Sequence, residues 1–129
     1  MPRFVLLEHD HPFLHYDLMI EVGDVLWTWR LDVALPTGER LAASRIADHR
    51  RAYLDYEGPV SGNRGTVRRV DGGEYDWVER QADCLVLQVR GRRAVGRLVL
   101  RRTGDEEWEA ELVADSPSLA EGEGAGQGG

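Results

Sequence analysis

Between Leu14 and Val22 the chain reads "LHYDLMIEV", and every second residue (Leu14, Tyr16, Leu18, Ile20, Val22) is largely apolar. Successive side chains of a strand point to opposite faces of a sheet, so this alternation predicts a half-buried β-strand. The complementary face is unusual: instead of a solvated row of Lys, Thr and Ser it carries His15, Asp17, Met19 and Glu21. "VLWTWRL" alternates in the same way after a turn at Gly23–Asp24, which predicts a hairpin of residues 14–22 and 25–31. The runs "GTVRRV", "EYDWVE", "CLVLQV", "VGRLVL" and "EWEAELV" supply further strands, punctuated by "LPTGE", "EGPVSGNRG", "VDGGE" and "RRTGD". This rhythm predicts an all-β fold of hairpins, a barrel or a sandwich, its strands in up-and-down order. No long helix is expected, and "ADHRRAYLDY" is the one segment of ambiguous type.

Composition narrows the class. At 129 residues the chain holds one domain, predicted at 1–115, and the Gly- and Glu-rich "SPSLAEGEGAGQGG" at 116–129 reads as a disordered tail. No apolar run approaches the roughly 18–20 residues of a membrane span, and "MPRFVLLEHD" is too short for a signal peptide. A single cysteine, Cys84, excludes an intrachain disulfide framework and suits a cytoplasmic location. Its place in "CLVLQV" predicts an inert core thiol. The net charge of −7 argues against a sequence-blind coat for nucleic acid. Charge is nevertheless segregated: all 16 basic residues are arginine, many in "NRGTVRR" and "RGRRAVGRLVLRR", while Asp105, Glu106, Glu107, Glu109 and Glu111 cluster later. Arginine suits bidentate phosphate contacts.

Three of the four histidines, His9, His11 and His15, fall within "EHDHPFLHYD". His9 ends the apolar run "FVLLEH", a predicted strand, while His15 and Asp17 share one face of the next. If these strands are neighbours, two imidazoles and a carboxylate converge on a three-ligand site suited to Mn, Fe or Zn. Spacing alone leaves a second reading open, in which the same residues are polar barrel filling or a surface cluster. His49 comes from "ADHRRAYLDYEG", with Tyr53 four residues on. It is either a structural histidine or half of a His–Tyr pair that contacts an anionic substrate or transfers a proton. Trp27, Trp29, Tyr56, Tyr75, Trp77 and Trp108 are expected as core and cross-strand aromatics, with stacking on unpaired bases as the alternative.

"RFVLLEHD…LHYDLMIEV", "VLWTW" and "DHRRAYLDYEG" resemble the 3′-phosphoesterase domain of bacterial ATP-dependent DNA ligase D, and especially its small stand-alone relatives, over roughly residues 3–80. The resemblance implies a small closed or nearly closed antiparallel β-barrel with short loops that trims nucleic-acid 3′ ends in end joining, removing 3′-phosphates and terminal ribonucleotides with a divalent metal. Mn is the metal it implies first, with Zn, Co or Fe as alternatives. By motif, His9, His15 and Asp17 would hold the metal, facing into the barrel, and His49 and Tyr53 would lie beside the scissile phosphate. Partners implied are DNA or RNA-tipped DNA 3′ ends, and separate ligase, polymerase or Ku-type repair proteins; a monomer without membrane association is expected.

The chain also departs from that pattern. Met19 stands where the family has a phosphate-binding arginine, Val33 where a lysine aligns, and the Gly-rich loop is shortened to "PVSGNRGTV". Arg30 and Arg64 are the candidate replacements for the missing cations. An alternative function is a catalytically weak or inactive module that binds DNA ends or repair partners. A third is a non-haem Fe(II) oxygenase in which His15, Asp17 and His49 form a facial triad.

Overall fold

The computed structural model describes residues 1–114, so the expected boundary after residue 115 and the tail at 116–129 lie outside the described residues. The strands are β1 (Arg3–His9), β2 (His15–Val22), β3 (Val25–Leu31), β4 (Leu41–Arg50), β5 (Gly58–Pro59), β6 (Thr66–Gln81), β7 (Cys84–Gly91), β8 (Val95–Arg102) and β9 (Glu107–Ala114). The ambiguous segment divides: residues 47–50 end β4, a strand the sequence pattern did not predict, and one 3-10 turn, Arg51–Leu54, follows it. Neighbouring strands run β1-β2-β3-β4-β9-β8-β7-β6, and β6 pairs back onto β1, so eight strands close an all-β antiparallel barrel. Closure leaves those strands no free edge, which removes the usual template for edge-to-edge aggregation.

The order is not a simple up-and-down meander. After β4 the chain crosses to lie beside β1, then returns strand by strand until β9 meets β4. A second difference is β6, a single strand where the sequence predicts two separated by a turn at "VDGGE". The buried Asp71 carboxylate accepts hydrogen bonds from the backbone N–H groups of Gly72, Arg92, Arg93 and Ala94, so this polar stretch is satisfied inside the fold. Gly73 lets β6 cross β7 at close range, since a Cβ there would lie 2.0 Å from the Arg90 carbonyl oxygen. Leu14 precedes β2 and is exposed. Cys84 is half-buried rather than in the core, with the inward positions of β7 taken by Leu85, Leu87 and Val89; burial pushes its thiol pKa up.

The barrel interior is filled by one apolar cluster that includes Phe4, Leu6, Leu18, Ile20, Trp29 and Leu100. Trp29 and Trp108 meet edge to face at 5.5 Å, as the quadrupoles of two indoles favour. Trp27 and Trp77 also meet edge to face, flanked by the Arg80 guanidinium, so these indoles are committed to packing. A second, smaller apolar cluster joins Val5, Leu7, Met19, Leu26, Leu54 and Val67. Along β1 and β2 these residues alternate with the interior set, which puts the cluster on the outer wall of the barrel, beneath the segment that follows β4.

Candidate metal centre

β1 and β2 are paired so that His9 faces His15 and Leu7 faces Asp17; β3 then places Arg30 opposite Asp17. His15, Asp17 and Met19 share the outer face, not the interior, because Leu18 and Ile20 between and beyond them point into the barrel. The expectation of inward-facing ligands is therefore corrected. Outer and inner faces both look buried along this strand, since the chain from Arg50 to Gly65 covers the outside.

That covering segment is tied down by charge and by packing. Arg51 pairs with Glu21 at 2.6 Å and Arg3 with Asp55 at 2.8 Å, while the Leu54 side chain enters the outer cluster beside Met19. The Arg3 guanidinium holds the Asp55 carboxyl below its ordinary range and is itself pushed up. Glu57 accepts from the Arg69 backbone N–H, and the Arg69 side chain donates to the Leu54 carbonyl. His49 and Tyr53 are thereby held against the outer wall, ring to ring at 5.5 Å.

The two histidines nearest Asp17 have their tautomers set by backbone carbonyls. A carbonyl can only accept, so His15 Nδ1–H donates to Phe13 O at 2.9 Å and Nε2 is the nitrogen left bare in neutral imidazole. His9 Nε2–H donates to Arg64 O at 2.8 Å, leaving Nδ1 bare. That carbonyl is presented by a tight loop at Gly65, whose φ is +77° and where a Cβ would lie 2.3 Å from Asp10 Oδ1. Both bare nitrogens turn towards one carboxylate: His15 Nε2 is 3.3 Å from Asp17 Oδ1 and His9 Nδ1 is 3.6 Å from Asp17 Oδ2. Among the described residues, one ligand atom from each of these three side chains falls within 4.8 Å of the others.

His15 Nε2 and Asp17 Oδ1 are both buried without a hydrogen-bond partner. Leaving a carboxylate 3% exposed beside two nitrogen lone pairs is costly unless a cation sits between them. The donor set is two imidazoles and a carboxylate, with each ring oriented by a carbonyl behind it, and it fits a divalent metal. His49 is not part of this cluster; its Nδ1–H donates to Ala47 O at 2.9 Å. The His15–Asp17–His49 facial triad is thus not formed, and His9 takes the third place.

An open cleft of about 490 Å³ lies over the cluster, and His9, Asp17, Arg30, His49, Tyr53 and Arg64 all line it. His15 lies behind it, fully buried. The Arg30 guanidinium lies 6.0 Å from the Phe13 ring, and its buried Nε has no hydrogen-bond partner. The Arg64 side chain is engaged in its own loop, through Nε to Ser61 O at 2.7 Å and Nη2 to Ser61 Oγ at 3.2 Å. Met19, 1% exposed, contributes an apolar patch to the cleft wall. Val33 is an exposed loop residue outside the cleft lining. Among the other lining residues, His11, Asp48 and Arg50 carry chemistry to which the sequence reading gave no role. Their signal was proximity to the motif histidines, as in "HDH" and "DHRR".

A model of the DNA ligase D 3′-phosphoesterase domain matches residues 7–102, which contain every one of these cleft residues. The chain belongs to this family. The multifunctional non-homologous end joining DNA repair protein LigD of Mycobacterium tuberculosis is 32% identical over 116 residues, covering 83% of this chain and 15% of the relative. The multifunctional non-homologous end joining protein LigD of Mycolicibacterium smegmatis is 30% identical over 129 residues, covering 88% of this chain and 17% of the relative. The chain therefore spans less than a fifth of the length of these curated relatives. As a 3′-phosphoesterase-family barrel, it carries its cleft on the outer wall between the β1–β2 connection, the end of β4 and the segment that follows β4. No helix among the described residues is long and apolar enough to cross a membrane.

Proposed function

We propose that this chain is a metal-dependent phosphoesterase that processes the 3′ ends of nucleic acid in end joining, removing a 3′-phosphate or a terminal ribonucleotide. The observation that carries the reading is the buried convergence of His9 Nδ1, His15 Nε2 and Asp17 on one point, with His15 Nε2 and Asp17 Oδ1 unpartnered. His9, His15 and Asp17 would hold the cation, Mn first by resemblance to the family, with Zn, Co or Fe compatible with the same donors. When bound there, a divalent cation supplies charge neutralisation at a non-bridging phosphate oxygen.

The chain's own residues support the rest of the chemistry. Arg30, opposite Asp17 in the β2–β3 register, has a guanidinium without an acidic partner among the described residues and can donate to the phosphate. Hydrolysis of a 3′-phosphate breaks the P–O3′ bond as a water oxygen joins phosphorus, and the departing 3′ oxygen needs a proton. In its imidazolium form His49 can supply it from Nε2, while its Nδ1–H stays on Ala47 O and its ring is oriented by Tyr53. Nucleic-acid 3′ ends are the substrate, and separate ligase, polymerase or Ku-type proteins are the partners in such a pathway.

The test is release of inorganic phosphate from a 3′-phosphorylated primer–template with and without Mn2+. Metal-dependent release abolished by His15→Ala and by Asp17→Ala is expected; full activity in both variants overturns the reading. The buried Met19 side chain, apolar where the family has a phosphate-binding cation, supports a second reading: an end-binding module with little turnover. That reading predicts Mn2+-dependent binding of the same substrate without phosphate release.

A further inference from the structure

A second cleft, of about 220 Å³, adjoins the first: Arg50, Tyr53 and Val60 line both, and Ala52, Tyr56, Pro59 and Ser61 complete the second. It contains none of the three clustered ligands, so it can take a part of a substrate that the metal centre does not touch. Its volume is below the range of roughly 300–1,000 Å³ common for drug-sized ligands, a scale that suits one planar group.

Two of its residues have the chemistry of a nucleotide subsite. Arg50, the last residue of β4, is exposed and makes no ion pair or side-chain hydrogen bond among the described residues. Its neighbours are committed elsewhere: Arg51 to Glu21, Arg45 to Asp48, Arg64 to Ser61 and Arg69 to the Leu54 carbonyl. Tyr56 is 38% exposed, its hydroxyl donates to Pro59 O, and its ring stands at 89° to that of Tyr53 with centroids 5.9 Å apart. An aromatic ring held at both its edge and its hydroxyl loses little freedom when a base stacks on it, and an unpaired guanidinium beside it suits a backbone phosphate.

We propose that this second cleft binds the nucleotide immediately 5′ of the terminal one, its base against Tyr56 and its linking phosphate on Arg50. The inference rests on the first cleft holding the 3′-terminal phosphate. It makes the preferred substrate a 3′ end whose last two nucleotides have free base faces, as in an overhang or a frayed terminus.

The experiment compares KM for a nucleoside 3′-phosphate with KM for a trinucleotide 3′-phosphate in Mn2+. In the wild type the longer substrate has a KM lower by about tenfold or more, the scale of one stacked base and one phosphate contact. Arg50→Ala and Tyr56→Ala each shrink that gain to about threefold or less, and Arg50→Lys retains most of it. A mere loss of structure instead lowers kcat on both substrates and leaves the KM ratio intact. An unchanged ratio in both alanine variants overturns the subsite. If the wild type releases phosphate from neither substrate, the phosphoesterase reading fails by itself. The subsite is then scored by fluorescence anisotropy of a labelled trinucleotide 3′-phosphate with Mn2+ present. Binding weakened about fivefold or more by Arg50→Ala supports it; equal binding, or no binding by the wild type, overturns it.

Discussion

His15 Nε2 faces Asp17 Oδ1 across 3.3 Å, two residues apart on one face of β2, with neither atom hydrogen-bonded to another group among the described residues. The Phe13 carbonyl takes the one N–H of the neutral His15 ring, so no proton bridges the pair and a cation held between them would relieve it. Saturating Mn2+ is therefore expected to stabilise the wild type by about 2.7 kcal/mol at a hundredfold excess over Kd. Asp17→Asn removes most of that gain while leaving the metal-free protein at least as stable, because it removes a buried charge. Differential scanning fluorimetry with and without Mn2+ checks both halves of the expectation.

Arg30 and Arg64 both border the cleft, and of these two only Arg30 has a guanidinium free of acceptors among the described residues. Arg30→Ala is expected to lower kcat for 3′-phosphate release by about a hundredfold, the usual scale for loss of one charged donor to a transferring group. Arg64→Ala is expected to cost far less, since its contribution to His9 comes from a backbone carbonyl that alanine keeps. Steady-state rates of the two single variants distinguish them, and equal losses would refute the assignment to Arg30.

Met19 supports the covering segment from below, in contact with the same outer cluster as Leu54. Met19→Ala is expected to cost about 2–4 kcal/mol by urea unfolding, from lost burial and the cavity left behind. Because Tyr53 lies one residue before Leu54, faster amide exchange over residues 51–55 should accompany the loss.

Tyr75 is fully buried, donates its hydroxyl to Glu21 O at 2.6 Å, and has its pKa pushed up to about 12 by burial. A pKa raised in the folded state contributes stability that is complete below the unfolded value of about 10 and is lost as pH rises towards 12. Unfolding free energies should therefore fall between about pH 10 and 12 in the wild type, and Tyr75→Phe should flatten that limb. An equally steep limb in the variant would place the alkaline sensitivity elsewhere.

Local chemistry carried much of this fold into view. The alternation in residues 14–22 and 25–31 predicted β2, β3 and their hairpin, because a strand's side-chain period is two wherever one face is buried. It also put His15 and Asp17 on one face without any knowledge of neighbours. The turn at "VDGGE" was misread because Asp and Gly have the same composition in a turn as in a strand crossing. The distinction lies in the Arg92–Ala94 backbone, which satisfies Asp71 from twenty or so residues away.

The sequence by itself determined the all-β class, most of the strands and the set of residues with metal-binding chemistry, since each depends on side-chain type and a period of two. Only the tertiary structure decided that the ring closes through β6 on β1 and β9 on β4, pairings between strands distant in the chain. It alone decided on which side of the barrel His15 and Asp17 lie. Alternation separates the two faces of a strand, but it cannot say which is interior when a later segment, anchored by Arg51–Glu21 and Arg3–Asp55, buries the outer one as well.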